Sequence, residues 1–279
     1  MTVKYLGDLS GPVLVFGGVY SNLQAIQALR QKADSLGISS DNCICTGDIV
    51  AYCANPVETV LEIRDWGVHA IQGNCEESLA NNLSDCGCGF DIGSSCDLLS
   101  KQWYDFSTKA LSVDDKLWMG ELPMQLNFSL NGKRFQVIHG GVDNISRFIF
   151  KSTAISVFAK QFSKLSCDAV IAGHCGMPFT KFIGDKMWHN AGVIGMPAND
   201  GTPDVWYSLL TPQINHEISI QHYRLTYDFN DATLAMRHFK LAEGYARALT
   251  SGLWPSLDIL PTEEKRQADI TLNELAYSF

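Results

Sequence analysis

The alternation of elements between Val13 and Asn74 constrains the fold more than any other feature of the chain. Val13 to Gly17, Cys43 to Thr46 and Val68 to Gln72 are short apolar runs of the kind that form strands buried on both faces. Between them lie two amphipathic stretches. Leu23, Ile26, Leu29, Ala33 and Leu36 recur every three or four residues, Ser21 and Gln24 are spaced as a capping box, and Gly37 stands where a left-handed C-cap ends a helix. Pro56 opens the second helix, which runs to about Trp66. Strand, helix, strand, helix, strand predicts an α/β chain with a parallel or mixed sheet and helices outside it. Ligands in such sheets bind beyond the carboxyl ends of the strands, which here carry Gly17-Gly18, Gly47-Asp48 and Gly73-Asn74.

Downstream, the segment from Cys86 to Leu122 reads as irregular chain and then helix, anchored by Trp103, Tyr104, Phe106, Leu111, Leu117 and Trp118. It is expected to form a small helical cap insertion over about 84–123. Asn131-Gly132 marks a hairpin between Gln125–Leu130 and Arg134–Ile138, and the second strand runs into His139-Gly140-Gly141. Ala169–Ala172 likewise runs into Gly173-His174. Val205–Leu210 and Ile218–Tyr223 alternate as strands do, and helices are expected over Asp231–Leu241 and Gly244–Leu249, within a helical C-terminal region of about 229–279. No linker divides the chain, so one domain over 1–279 is expected.

A hydrophobic fraction of 46% and a charged fraction of 18% belong to an ordered globular protein. The net charge of -9, with scattered Lys and Arg, argues against a nucleic-acid groove or an anionic membrane surface as partner. The absence of a signal-like h-region and of a run of transmembrane length points to the cytoplasm. Nine cysteines are too few for a disulfide scaffold in a chain this long, and reduced thiols are expected. Cys75, Cys86, Cys88 and Cys96 are concentrated in one stretch. They offer a second, structural metal site as one reading, although no CxxC spacing is present.

Four polar groups stand just past a strand: Asp48, Asn74, His139 and His174. Singly, each has a plain reading as a turn, cap or hydrogen-bonded side chain. Together they place one carboxylate, one amide oxygen and two imidazoles at one sheet edge, a suitable shell for a divalent Mn, Fe or Zn ion.

These residues sit in an ordered set of motifs: "GDIVAYCANP" (Gly47 to Pro56), "GNCEESLA" (Gly73 to Ala80), "VIHGG" (Val137 to Gly141), "AGHCGMPF" (Ala172 to Phe179) and "HNAGVIGMP" (His189 to Pro197). The set resembles the calcineurin-like metallophosphoesterases, and in particular their small bacterial branch. The pattern of that family runs DxH, GDxV, GNHD/E, a lone His, GHTHxPF and NPGSVGxP, with "FGGVYSNLQA" standing here in place of DxHSNLEA. The resemblance implies a metallophosphoesterase-like β-sandwich core of mixed sheets flanked by helices. Family members bind two metals bridged by an Asp, which matches Asp48. The private ligands of one metal match Asn74, His139 and His174. Those of the other match Gly18, Tyr20 and Gly176, none of which is a family ligand, so the losses fall on one metal alone and the resemblance implies a degenerate, one-metal site.

Cys75 replaces the family histidine near the leaving group, and Cys175 replaces the Thr of GHTH. A rearranged centre using either thiol is an alternative. Tyr20 either packs on the first helix as a staple or fills the vacated metal space with its hydroxyl.

The leading expectation is therefore a metal-dependent phosphoesterase acting on a small phosphomonoester or phosphodiester. Asp48, Asn74, His139 and His174 are the ligands, Asp48, Asn74, His139 and Cys75 the catalytic candidates, and Asn22 and Arg147 the candidates for holding phosphate oxygens. The alternatives are a non-catalytic phosphate-ligand binding or regulatory protein, and a redox or structural metal site in the cysteine group.

Overall fold

The computed structural model describes residues 2–279. The chain opens with β1 (Val3–Leu9) and β2 (Val13–Phe16), followed by α1 (Leu23–Ser35), β3 (Cys43–Cys45), α2 (Pro56–Trp66), β4 (His69–Ala70) and α3 (Asn74–Ala80). Two helices, α4 (Ser95–Ala110) and α5 (Val113–Glu121), precede the hairpin β5 (Gln125–Leu130) and β6 (Lys133–Ile138). Then come α6 (Ile155–Phe162), β7 (Ala169–Ala172), β8 (Pro178–Ile183), β9 (Lys186–Ala191), β10 (Val205–Pro212) and β11 (Ile218–Leu225). The chain closes with α7 (Phe229–His238), α8 (Glu243–Ser251), α9 (Thr262–Arg266) and β12 (Ala276–Ser278).

The strands form two mixed sheets of six, in the orders β1-β5-β6-β7-β9-β8 and β12-β11-β10-β2-β3-β4. The two-residue period of a strand decides where each apolar side chain goes. On β2, Val13 and Val15 face the other sheet and pack with Leu126, Phe128, Val137 and Ile171. Leu14 and Phe16 face outward and pack with Ile26, Leu29, Val60 and Ile63 of α1 and α2. The outer face of the first sheet is covered by α6, where Phe158 and Phe162 meet Val170 and Trp188. Both faces of the central strands are thus buried, which is why they read as continuous apolar runs. Full burial of a side chain such as Phe16 contributes about 1.5–3 kcal/mol each.

Several elements differ from the sequence expectations. The cap of α1 is Asn22 rather than Ser21: Asn22 Oδ1 accepts from Ala25 N at 3.2 Å, while Ser21 sits at φ +57. The C-terminal region expected to be helical also contributes β12, which pairs with β11. Strands β1, β8 and β9 were not anticipated as strands. Cys86 and Cys88 are joined as a disulfide rather than held as free thiols. Gly87 between them has φ +62, so the chain doubles back and brings the two Cα atoms within 5.3 Å. Among the described residues, no helix is long and apolar enough to cross a membrane.

Candidate metal centre

Parallel pairing sets the site. β2, β3 and β4 run parallel in one sheet and β6 and β7 parallel in the other, so their carboxyl ends present Gly17, Asp48, Asn74, His139 and His174 along one rim. Close approach of the two sheets there depends on glycine. A Cβ at Gly47, which has φ +91, would lie 2.7 Å from Gly73 N and 2.9 Å from His139 Nδ1, so no other residue fits without moving the site.

His139 is the hub. Its Nδ1 lies 2.6 Å from the Thr46 carbonyl oxygen, which can only accept, so Nδ1 carries a proton and donates it. In the neutral ring the lone pair is then on Nε2. That atom lies 3.0 Å from Asn74 Oδ1, 3.2 Å from Asp48 Oδ2 and 3.2 Å from His174 Nδ1. The Asn74 amide is oriented by donation from Nδ2 to the Cys86 carbonyl at 2.9 Å, which leaves Oδ1 facing the histidine. Asp48 Oδ1 accepts from Cys75 N at 3.2 Å and leaves Oδ2 free for the same point.

Four electron pairs therefore converge on one buried spot, and Asp48, His139 and His174 bring their ligand atoms within 4.8 Å of one another. Such an array is repulsive unless a proton or a cation sits at its centre. Without an ion, the Asp48 carboxylate favours a proton on His139. Burial opposes charge on His139, but the Asp48 carboxylate beside Nε2 outweighs it and raises the imidazole above its ordinary value. Burial likewise opposes ionisation of Asp48, yet His139 holds it down to about 2. His174 is pushed down to about 3, by burial first and then by His139, so it stays neutral with a lone pair to offer. The donor set fits a borderline divalent ion.

A second layer holds these groups in place. Glu76 is fully buried and accepts from the backbone N–H groups of Asp48 (2.8 Å), Ile49 (2.8 Å), Val50 (3.2 Å) and Gly73 (2.9 Å), tying together the turns that carry Asp48 and Asn74. Burial and then the Asp48 carboxylate push its own carboxyl up to about 7. Phe148 lies on the His174 ring at 4.2 Å between centroids. Sequence reasoning assigned no role to Thr46, Glu76 or Phe148. Only Glu76 left a signal, as the acidic fourth residue of "GNCE".

The other half of the rim is filled with aromatic carbon. The Tyr20 ring lies over Gly18, where any Cβ would overlap it, and packs edge-on to Tyr52 at 4.8 Å. Trp254 lies over Gly176, whose Cβ would come within 3.3 Å of its ring. It is thus the Tyr20 ring that occupies the space above Gly18. Tyr20 and Trp254, with Tyr52, Phe148, Tyr245 and Met196, line a cavity of about 70 Å³ that reaches Asp48 and His174.

Three groups of sequence candidates are placed elsewhere. Asn22 is fully buried, and its amide is consumed by Ala25 N, by the Gly195 carbonyl (3.2 Å) and by the Tyr227 hydroxyl (3.1 Å), leaving no donor for a phosphate oxygen. Asn22→Ala is expected to cost about 1–2 kcal/mol of stability in urea unfolding, as a lost helix cap does, while leaving metal content unchanged. Arg147 is exposed and packs its stem over Gly141, outside the cavity lining.

The cysteines do not assemble a second metal site. Cys86 and Cys88 are consumed by their disulfide, Cys96 lies beside Ser256 and Asp258, and Cys75 lies beside Asn74 and Asp48. Burial, then Asp48 and Glu76, raise the Cys75 thiol well above its ordinary value, so it keeps its proton. The Cys175 sulfur is 3.2 Å from Asn190 Nδ2, and burial pushes its thiol up to about 12.

A two-sheet sandwich with a buried carboxylate, amide and imidazole cluster at the strand ends defines a metallophosphoesterase fold. Residues 13–212 match the calcineurin-like phosphoesterase superfamily domain, and the chain belongs to that superfamily of phosphoester hydrolases. An uncharacterized protein of Methanocaldococcus jannaschii is 24% identical over 237 residues, covering 79% of this chain and 89% of the relative. Among solved structures, a hypothetical protein from Pyrococcus horikoshii superposes with a TM-score of 0.74 at 16% identity, covering 87% of this chain and 99% of the other. A metallophosphoesterase from Sphaerobacter thermophilus gives 0.69 at 20% identity, covering 88% and 100%. These two likenesses show the fold.

Proposed function

We propose that the chain is a phosphoesterase that works with one divalent ion, held by Asp48 Oδ2, Asn74 Oδ1, His139 Nε2 and His174 Nδ1, and that its substrate is a small phosphorylated molecule. The observation that carries this reading is the convergence of four lone pairs on a buried point, with the tautomer of His139 dictated by the Thr46 carbonyl. When bound, the ion supplies Lewis acidity toward a phosphoryl oxygen and lowers the pKa of its water. The chain contributes orientation. Thr46 fixes the imidazole, the Cys86 carbonyl fixes the Asn74 amide, and Glu76 holds the turn of Asp48. Tyr20 and Trp254 pack over Gly18 and Gly176 and wall the cavity that reaches Asp48.

A second reading, a phosphate-ligand binding or regulatory protein, is favoured by one observation: the residue in place of the family's leaving-group histidine is Cys75, a buried neutral thiol. Elemental analysis of untagged protein and turnover of nitrophenyl phosphate esters with added Mn, Fe or Zn separate the two. One ion per chain with turnover that disappears in His174→Ala supports the enzyme, whereas one ion and no turnover with any metal supports the binder. An ion retained without the histidines sinks both.

Metal affinity should depend on pH in a definite direction. The proton on His139 and the ion compete for the same lone pair, and because the metal-free imidazole is raised, that proton persists to higher pH than in a free histidine. Asp48 and His174, held at about 2 and about 3, add no competing proton near neutrality. Below the His139 pKa, affinity should fall about tenfold per pH unit, and above it level off. Titrations with Mn(II) at pH 5.5, 6.5 and 8.5 test this, and a flat profile contradicts it.

A further inference from the structure

We propose that Cys86-Gly87-Cys88 is a redox-active site that sets how firmly Asn74 is held: the disulfide keeps the amide oxygen facing the metal position, and the dithiol lets it go. The consequence for metal affinity rests on the one-ion reading above, whereas the movement of Asn74 does not.

The turn touches the metal centre on two sides. On one, the Cys86 carbonyl accepts from Asn74 Nδ2 at 2.9 Å, and the Cys88 sulfur lies 3.4 Å from the same nitrogen. On the other, the Gly87 carbonyl accepts from the hydroxyl of Ser146, close in sequence to Phe148, whose ring lies on His174. A disulfide sulfur can only accept, so it keeps the N–H edge of the amide toward the turn and Oδ1 toward His139. A thiol can also donate, and an S–H facing this N–H weakens that preference. Gly87 decides how far the turn then relaxes. It sits at φ +62, and a glycine freed from the cross-link populates both signs of φ, so the Cys86 carbonyl is no longer pinned beside Asn74.

The pair is also placed to be reduced. The cross-link spans a single residue, and so short a loop contributes little to stability by chain closure, so breaking it leaves the fold standing. Both side chains are buried, yet each borders open space: Cys88 lines the cavity that reaches Asp48, and Cys86 borders a second pocket of about 330 Å³ with Leu83, Ser100, Lys101 and Tyr104. The step is exchange with a small-molecule dithiol. One thiolate of the reductant attacks a sulfur of the pair, the Cys86–Cys88 bond breaks, and the departing sulfur takes up a proton. The second thiolate of the reductant then attacks the mixed disulfide, displaces the other cysteine and leaves as a cyclic disulfide. Two electrons pass to the pair, and the two protons of the dithiol end on Cys86 and Cys88.

The first tests need neither metal nor turnover. Protein purified in air and then denatured should titrate with seven thiols, and with nine after reduction; nine at the outset overturns the proposal. In metal-free, isotope-labelled protein, the NMR signals of the Asn74 side-chain amide are assigned by their loss in Asn74→Asp. They should shift and exchange faster with water after reduction by dithiothreitol, and return on treatment with its oxidised form. Unchanged signals overturn the proposal.

Mn(II) is then titrated into both redox forms, with the reductant removed under argon beforehand. The dithiol form should bind about 10–100-fold more weakly, the range for loss of the partner that orients a ligand. The double variant Cys86→Ser, Cys88→Ser should bind as weakly as the reduced protein and no longer respond to dithiothreitol, with circular dichroism to confirm its fold. Equal affinity of the two redox forms, or a double variant that binds as the disulfide form does, overturns the coupling to the metal. An ion bound in neither form ends the one-ion reading, while the Asn74 signals still decide the redox proposal.

Discussion

His139→Ala is expected to reduce the metal content of the purified protein from one ion per chain to less than about a tenth, and turnover about a thousandfold, equivalent to about 4 kcal/mol of barrier. The effect is larger than for loss of an outer ligand because His139 Nε2 is the atom around which the others are arranged, at 3.0 Å from Asn74 Oδ1 and 3.2 Å from both Asp48 Oδ2 and His174 Nδ1. Its removal also frees the Thr46 carbonyl, a buried acceptor with no other role at the site. Removing Phe148, which packs on His174 and on Phe90 and Phe150 without ligating, should by contrast lower affinity without emptying the site, in the roughly 10–100-fold range of outer-shell changes. Metal counts on both variants, with circular dichroism to confirm folding, make the comparison. Equal metal loss in the two would mean that general loosening, rather than ligation, explains both.

The parts of the site that were legible in the sequence were those that strand ends position. Asp48, Asn74, His139 and His174 each follow an apolar run directly, so recognising parallel strands was enough to place them on one rim. Asn22 was misread for a reason that no local pattern contains: its amide is claimed by Tyr227 and Gly195, far along the chain, and by its own helix at Ala25. The capping role given to Ser21 failed alongside it, because Ser21 and Tyr20 both sit in the left-handed region, where the turn is shaped by backbone donation to Asp48 O and Ile49 O.

The unanticipated strands have a related cause. β1 is mostly exposed and pairs in parallel with β5, Val3 opposite Gln125, so its partner lies outside any window in which periodicity can be read. β12 is three residues long and is held, antiparallel, by β11, a partner about fifty residues back along the chain. The cysteine group was misread because closeness in sequence does not set where sulfurs point. The turn at Gly87 pairs Cys86 with Cys88 and leaves Cys75 and Cys96 facing different neighbours. The glycines at 18 and 176 were visible as missing ligands, but the rings that fill their space come from Tyr20, two residues away, and Trp254, on a distant loop.

That filling makes Gly18 and Tyr20 a coupled pair, and the coupling should be large. Gly18 is not among the glycines with positive φ, so its backbone accepts a side chain, and the three atoms nearest to an added Cβ all belong to the Tyr20 ring. Gly18→Ala alone is expected to destabilise the protein by about 1–3 kcal/mol, the usual cost of overpacking a closed site. In a Tyr20→Ala background the same substitution enters space that the ring has left, and should cost nothing or stabilise, giving a coupling energy of about 2 kcal/mol in a double-mutant cycle of urea unfolding.

The pair Gly18→Asp and Tyr20→His carries the argument from packing to chemistry. Tyr20 has φ +53, a conformation that histidine adopts more readily than most side chains. With the ring gone, the introduced carboxylate and imidazole join Asp48 as three protein ligands, enough for an open metal site. The double variant should bind two ions per chain, whereas Gly18→Asp alone, still blocked by the Tyr20 ring, should bind one. Two ions in the single variant would show that the ring yields easily and that aromatic filling does not keep the site mononuclear. One ion in the folded double variant would place the obstacle at Gly176, where φ is +74 and Trp254 closes over the Cα, so that the third ligand of that half could not be dispensed with.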